Sequence, residues 1–184
     1  MTHAPIIPAP DLKVNLGCGT DIRPGWINLD KAQLPGVDIV HDLAAGTLPF
    51  SSESCSEILC QDVLEHINYI PALREIHRIL RPGGVAHIRV PHFTSRDCYT
   101  DPTHCNLFSA TTFTYFLRGH GRNYYVDFAF SRITVKLLFQ KSWFYPYNYM
   151  LEPLVNINAR ARGIYEGSPL RVFPAGNLSV MLEK

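Results

Sequence analysis

The stretch Val14-Asn15-Leu16-Gly17-Cys18-Gly19-Thr20-Asp21 constrains this chain more than any other. Lys13 to Leu16 reads as a short buried strand that runs straight into a turn bracketed by two glycines. Glycines one residue apart remove Cβ atoms where a backbone must turn tightly, and they let a ligand approach the main chain. A strand followed by Gly-x-Gly also describes an ordinary tight turn, so the rest of the chain has to decide between the two.

The order of elements that follows is informative. Trp26 to Asp30 is a second apolar strand ending in an acid, and Val37 to His41 is a third, edging toward Asp42. Ser56 to Gln61 is a buried strand after the Ser51–Ser54 turn. Tyr69 to Leu80 has helical periodicity, with Ile70, Leu73, Ile76, His77 and Leu80 on one face and Pro71 in the first turn. Pro82-Gly83-Gly84 stops that helix, and Val85 to Val90 is the next strand, ending at Pro91. Strands alternating with helical stretches imply a parallel sheet with crossovers on its faces. Only thirteen positions separate Gly17 from Asp30, and Pro24-Gly25 breaks their middle, so the first crossover helix is very short or absent.

Beyond Pro91 the pattern changes. Residues 92–108 are polar, aromatic and histidine-rich, without clean periodicity. Ser109 to Leu117 is expected as a short helix capped by Ser109, with Phe113, Phe116 and Leu117 inward. Val126 to Phe139 reads as one or two strands, Ser142 to Gly163 as aromatic and then weakly helical, and Asn177 to Glu183 as a last strand. Residues 1–11, with Pro5, Pro8 and Pro10, read as an extended arm.

Composition limits what such a chain binds. At 184 residues, with 46% hydrophobic and 18% charged residues, it is expected to be one soluble domain with a core of its own. A net charge of +1 without a Lys/Arg run gives no electrostatic footprint for nucleic acid. No apolar stretch approaches the roughly 20 residues that span a bilayer, and Met1-Thr2-His3-Ala4-Pro5 does not begin a secretory leader. The odd set Cys18, Cys55, Cys60, Cys98 and Cys105 has no framework spacing, so reduced thiols and a cytoplasmic location are expected.

Five motifs in series settle the meaning of the first turn. Gly17-Cys18-Gly19 and Asp30 come first, followed by Asp42-Leu43 before Leu48-Pro49-Phe50. Asp62-Val63-Leu64-Glu65-His66 and Leu80-Arg81-Pro82-Gly83-Gly84 complete the series. In this order they resemble the class I S-adenosylmethionine-dependent methyltransferases, in the small single-domain branch called type 11, over roughly residues 12–92. The resemblance implies an α/β, Rossmann-like sheet of seven strands, mostly parallel with an antiparallel final strand and helices on both faces. The N-terminal helix usual in that family is reduced or absent here. A single domain, 12–184, would divide into a cofactor half, 12–92, and a substrate-side insert and lid at about 93–170. A phosphate cradle is the rival for a glycine-rich turn, but no Gly-Lys-Ser/Thr follows and the third glycine of a dinucleotide fingerprint is missing.

The cofactor so implied is S-adenosylmethionine, with S-adenosylhomocysteine as product. Gly17, Cys18 and Gly19, with Asn15 just before them, would pass beneath its methionine part through backbone groups. Asp30 can accept two hydrogen bonds from a ribose diol. Asp42 would take the adenine amine, with Leu43 against the ring, and Gln61 would offer its carbonyl to the ammonium. Asp62 is counted among the cofactor residues; Glu65 and His66 match positions lining the floor, although His66 could equally order its loop, and Val63, Leu64 and Ile67 read as packing. Each acid has an alternative as a solvated turn residue.

Methyl transfer is a direct displacement at a sulfonium carbon, so alignment and removal of the acceptor's proton are the tasks left to the protein. His92, just past a strand's carboxyl end, is a candidate base. Asp101 and His104 bracket a proline turn, which suggests His104 as base or substrate hydrogen-bonder oriented by Asp101; the alternative is a loop lock. Asp-Pro-Thr-His before Phe108 and Phe113 looks like an element of this branch found in enzymes acting on sugars or natural products. His92, Asp97 or Asp101, and His104 could form a two-histidine, one-carboxylate metal set, and Cys98, Cys105 and His104 a zinc set. Neither has a tight ligand pair, so no metal site is assigned and a divalent ion is left open. Tyr115, Tyr124, Tyr125, Trp143, Tyr145, Tyr147 and Tyr165 suit a substrate lid, an aromatic core or a dimer face, and Glu166 could reach the pocket.

The reading that results is methyl transfer to an oxygen or nitrogen of a small molecule, with a sugar or secondary metabolite as candidates. Its partner is that small molecule, with neither nucleic acid nor membrane; an edge left bare by the missing helix is compatible with a homodimer. The alternative is a catalytically silent cofactor-binding subunit that stabilises or regulates a partner.

Overall fold

Seven strands build one sheet in the computed structural model, which describes residues 11–121 and 123–184. Apart from Asp11, the expected N-terminal arm lies outside the described residues. The strands are β1 (Leu12–Leu16), β2 (Ile27–Asp30), β3 (Ile39–Val40), β4 (Cys55–Gln61), β5 (Leu80–Pro91), β6 (Arg132–Leu138) and β7 (Asn177–Glu183). Their order is β3-β2-β1-β4-β5-β7-β6. The first five run parallel, and β7 is antiparallel to both β5 and β6. The antiparallel final strand is the expected one.

This order creates the site. From β1 the chain moves outward through β2 to β3, then returns to place β4 on the other side of β1. The carboxyl ends of β1 and β4 therefore flank the point where the order reverses, and that is where an open α/β sheet leaves a crevice. Gly17 follows β1 directly and Asp62 follows β4 directly.

Helix α1 (Tyr69–Ile79) connects β4 to β5 as its periodicity predicts. It buries Ala72, Leu73, Ile76 and Ile79, and each large aliphatic side chain among them contributes about 1.5–3 kcal/mol. Pro71 lies in the first turn, where a missing N–H removes no helical hydrogen bond. Pro82-Gly83-Gly84 ends the helix but remains within β5 rather than preceding it. Gly83 N–H donates to the Lys184 carbonyl (3.1 Å) and Lys184 N–H to that of Gly84 (3.1 Å). A Cβ on Gly84 would lie 2.9 Å from the Arg81 carbonyl oxygen, so this point of the strand has room only for glycine.

The second half departs further from expectation. The anticipated helix over Ser109–Leu117 is only a 3-10 turn at Phe113–Phe116. Hydroxyls compete for its backbone groups: Ser109 N–H donates to Thr112 Oγ1 (3.0 Å) and the Thr114 hydroxyl to the Thr111 carbonyl (2.7 Å). Phe113 and Phe116 are buried, whereas Leu117 is half-buried. A single helical turn, α2 (Asp97–Thr100), precedes them, and α3 (Asn148–Val155) and α4 (Ala159–Gly167) join β6 to β7. Among the described residues, no helix is long and apolar enough to cross a membrane.

Among the described residues, the β1–β2 crossover contains no helix. Side-chain amides close it instead. Asn15 Nδ2 donates to the Asp21 carbonyl (2.7 Å) and to Asn28 Oδ1 (3.3 Å). Asn28 Oδ1 also accepts from Arg23 N–H (2.8 Å), while its Nδ2 reaches the Arg23 and Trp26 carbonyls (both 3.2 Å) and Asp38 Oδ2 (3.1 Å). Both asparagines are buried, where polar groups persist only when paired.

Candidate functional site

Two cavities meet at the carboxyl edge of the sheet. The first, about 330 Å³, lies over the ends of β1, β2 and β4. Gly17 (φ +66°) and Gly19 (φ +49°) form its turn. A Cβ on Gly17 would come within 2.3 Å of Val63 Cγ2, so the turn packs against the β4 loop only as glycine. No heavy atom lies within 4 Å of where a Gly19 Cβ would be, and that space opens into the cavity.

Asp30 is tied to this turn. Gly19 N–H donates to its Oδ2 (2.8 Å) and Ala32 N–H to its Oδ1 (2.8 Å). Each carboxylate oxygen retains a further acceptor position, the pattern that receives a vicinal diol. Asp42 faces the same cavity and caps the 3-10 turn Leu43–Ala45 through Ala44 N–H (2.9 Å), presenting Leu43 beside it. An acceptor pair, a second acceptor and an apolar side chain in this sequence suit a nucleoside.

The structure brings Gly17, Gly19, Asp30, Asp42, Leu43, Asp62 and His66 together around this cavity. Three expected members are not there. Asn15 is buried and its amide is engaged in the crossover network. Cys18 turns inward, and burial pushes its thiol up. Gln61 lines neither cavity, whereas Asp62, one residue later, lines both. Lys31, Val63, Ile67 and Thr103 line the cavity without having been singled out for it; Lys31 directly after the strand-ending acid was the available signal.

The second cavity, about 780 Å³, shares Asp62 and His66 with the first and is polar. Asp62, itself at φ +55°, pairs with Arg89 through one guanidinium edge in a bidentate contact: Arg89 Nε donates to Oδ1 (3.1 Å) and Nη2 to Oδ2. Arg89 was not anticipated. The floor is a turn at residues 64–67 clamped to residues 105–106. Cys105 N–H donates to the Glu65 carbonyl (2.8 Å), and Asn106 Nδ2 donates to the carbonyls of Leu64 (2.9 Å) and Ile67 (2.7 Å).

That clamp sets His66 against His104, with ring centroids 4.6 Å apart at 66°. Glu65 is 1% exposed, and burial pushes its carboxyl up to about 7 against the pull of its own backbone N–H. Glu65 Oε2 and His104 Nδ1 are buried with no hydrogen-bond partner among the described residues. Burial, and then the neighbouring His104, hold the His66 imidazole below its ordinary value.

Asp101 does not orient His104 as expected. Its Oδ1 accepts from Thr103 N–H (2.8 Å) and the Thr103 hydroxyl (2.7 Å), which hold its carboxyl below the ordinary range; its link to His104 is through the backbone alone (3.3 Å). The Thr103 hydroxyl has one proton and gives it to Asp101. At 2.8 Å from that oxygen, His66 Nδ1 must therefore be the donor, which leaves Nε2 with its lone pair. Asp101 orients His66, through Thr103.

His92 also differs from its expected role. It is wholly buried and lines neither cavity. Thr94 N–H donates to its Nδ1 (3.3 Å), so Nε2 is the nitrogen that donates to Glu166 Oε1 (2.8 Å). The same oxygen accepts from Ala110 N–H (2.7 Å), and Glu166 serves this lock rather than a pocket. The set His92, Asp101 and His104 is therefore not assembled, and Asp97 does not join it. The zinc alternative fails similarly: Cys98 donates to the His92 carbonyl (3.0 Å) and Cys105 to that of Glu65 (3.3 Å). The expected aromatic lid does not cover either cavity. Tyr165 is buried, its hydroxyl donating to the Phe173 carbonyl (2.8 Å), and Tyr124, Tyr125 and Trp143 are exposed.

Comparison with known proteins agrees with this geometry. Residues 10–88 match the type 11 family of the methyltransferase domain. A demethylmenaquinone methyltransferase of Chlorobaculum parvum is 24% identical over 143 residues, 71% of this chain and 59% of that one. An uncharacterized protein of Methanocaldococcus jannaschii is 51% identical over 37 residues, 20% of this chain and 16% of its own. The chain thus spans less than two thirds of the length of either relative. A crystal structure of an S-adenosylmethionine-dependent methyltransferase from Archaeoglobus fulgidus superposes with a TM-score of 0.61 at 15% identity, over 95% of this chain and 86% of that one. At that identity the likeness speaks to the fold alone. The family match over residues 10–88, the strand order and the glycine turn agree with one another: that stretch carries a methyltransferase domain of type 11, within a fold shared with an S-adenosylmethionine-dependent methyltransferase.

Proposed function

We propose that the protein transfers a methyl group from S-adenosylmethionine to an oxygen or nitrogen of a polar small molecule, a polyhydroxylated one such as a sugar. One observation carries this reading: the nucleoside-shaped cavity and the polar cavity share Asp62 and His66 as a common wall. The residues of the first fit the cofactor, because Asp30 has acceptors for the ribose diol, Asp42 and Leu43 suit the adenine, and the glycine turn keeps its space open. When bound, the cofactor supplies an electrophilic methyl on its sulfonium.

The protein's own residues then hold the acceptor against that methyl. The polar cavity offers the Asp62–Arg89 pair, Asp97, Thr100 and Asn177 to hydroxyl or amine groups. His104 lines this cavity and would serve as base or hydrogen-bonder to the acceptor. Positioning supplies much of the rate in such a displacement. The alternative, a silent cofactor-binding subunit, predicts cofactor binding without turnover.

Calorimetric titration of the full chain with S-adenosylhomocysteine tests the first step. Micromolar binding is expected, weakened at least tenfold by Asp30→Ala, since a lost charged hydrogen-bond acceptor costs about 1.5–3 kcal/mol. Turnover on a panel of sugar and amine acceptors tests the second, with His104→Ala losing rate while binding the product analogue as before. Failure of folded protein to bind the analogue overturns the reading.

A further inference from the structure

We propose that Glu65, His66 and His104 form a binding site for one divalent transition-metal ion on the wall between the two cavities. One donor atom from each lies within 4.8 Å of the other two. Glu65 is almost wholly buried and its Oε2 has no hydrogen-bond partner among the described residues; neither has the buried His104 Nδ1. Unmatched polar atoms at such depth are uncommon, because each forfeits its hydration for nothing. Two of the three clustered residues carry such an atom, which points to a ligand held within the cluster.

The third donor is prepared for the role. Asp101, acting through the Thr103 hydroxyl, fixes the proton of His66 on Nδ1 and leaves Nε2 free. A carboxylate fixing the tautomer of a histidine from behind is the usual support of a metal-bound imidazole. The clamp between residues 64–67 and 105–106, made by the Cys105 N–H and the Asn106 side-chain amide, holds all three donors on two joined segments. Metal–donor bonds of about 2.1 Å place neighbouring donors about 3–3.5 Å apart, so binding draws the three side chains inward from their present separation.

Two imidazoles and one carboxylate suit zinc, manganese, cobalt or iron(II) with coordination positions left open, rather than the all-oxygen preference of magnesium or calcium. The open positions would face the polar cavity, to which all three residues contribute. A hydroxyl bound to such an ion is more acidic than in water. That use rests on the proposed methyl transfer, whereas the site does not, and with an ion bound His104 is a ligand rather than the base.

Tag-free protein stripped by a chelator and titrated with Co²⁺ provides the test, followed by calorimetry with Zn²⁺ and Mn²⁺. One equivalent of Co²⁺ with visible d–d bands is expected, and the affinity should fall at least tenfold in Glu65→Gln and in His104→Ala. His87→Ala, a change on a half-exposed histidine outside the cluster, should bind as the parent does. Circular dichroism establishes that each variant is folded. The isosteric Glu65→Gln keeps the test valid if His104→Ala fails to fold. No stoichiometric binding by the folded parent, or binding that the cluster variants leave unchanged, overturns the site and assigns the gap to water. Titration of the same sample with S-adenosylhomocysteine separates the two readings, since cofactor binding without metal binding removes only this one.

Discussion

Glu75 shows how a single side chain fastens a loop to a helix. From α1 it accepts from Leu48 N–H (2.8 Å), and Arg78 donates to both its oxygens (2.9 and 2.8 Å) while also reaching the Phe50 (2.9 Å) and Leu48 (3.1 Å) carbonyls. Burial raises the Glu75 carboxyl, but Arg78 and the Leu48 amide outweigh it and hold it below the ordinary value. A depressed carboxylate adds stability above its unfolded pKa and loses it as pH falls through the folded one. Glu75→Gln should therefore cost about 1–2 kcal/mol at pH 7, and the difference from the parent should shrink below about pH 4.3. Urea denaturation at pH 7 and pH 3.5 checks both. At this scale the residues of the first cavity were legible where position along a strand decides the outcome. Gly17, Asp30 and Asp62 lie at or just past strand ends and reach the crevice whatever the rest of the chain does. His92 satisfies the same rule yet turns inward, because its partner Glu166 lies 74 positions away and no local pattern announces it.

Elements were legible where one period dominated. Helix α1 and strand β7 run almost as their apolar spacing predicts, since four buried side chains fix the one and alternation the other. The Ser109–Leu117 segment misled because its hydroxyls bond locally and override an apolar spacing that suggested a helix. The β1–β2 crossover was legible as helix-free, but its means of closure was not: Asn15 was assigned to the ligand and serves the loop. Asn28→Ala removes the acceptor of Arg23 N–H and the amide that spans three partners. Stability should fall by about 2–3 kcal/mol for the groups left unpaired, and S-adenosylhomocysteine should bind more weakly although Asn28 lines neither cavity. A thermal melt and a titration of the variant measure the two effects.

At the scale of the whole molecule, the first half lends its turn at 64–67 to the second, and the second returns Thr103 and His104 to the cleft. Motif order revealed the sheet, because each strand-ending acid or glycine has only one edge to occupy; it could not reveal a meeting of residues 39 positions apart such as Glu65 and His104. The helix-free crossover has one more consequence. Between Gly17 and Trp26 only Cys18 is buried, so polar bonds rather than apolar contact hold this segment to the sheet. Such a segment opens on its own, at a free energy well below that of global unfolding. In deuterium exchange the amides of Gly17, Cys18 and Gly19 should label early in the free protein while those of β5 persist. Cofactor should slow the early group and leave the late group unchanged, making the ligand the last piece of secondary structure that the chain acquires.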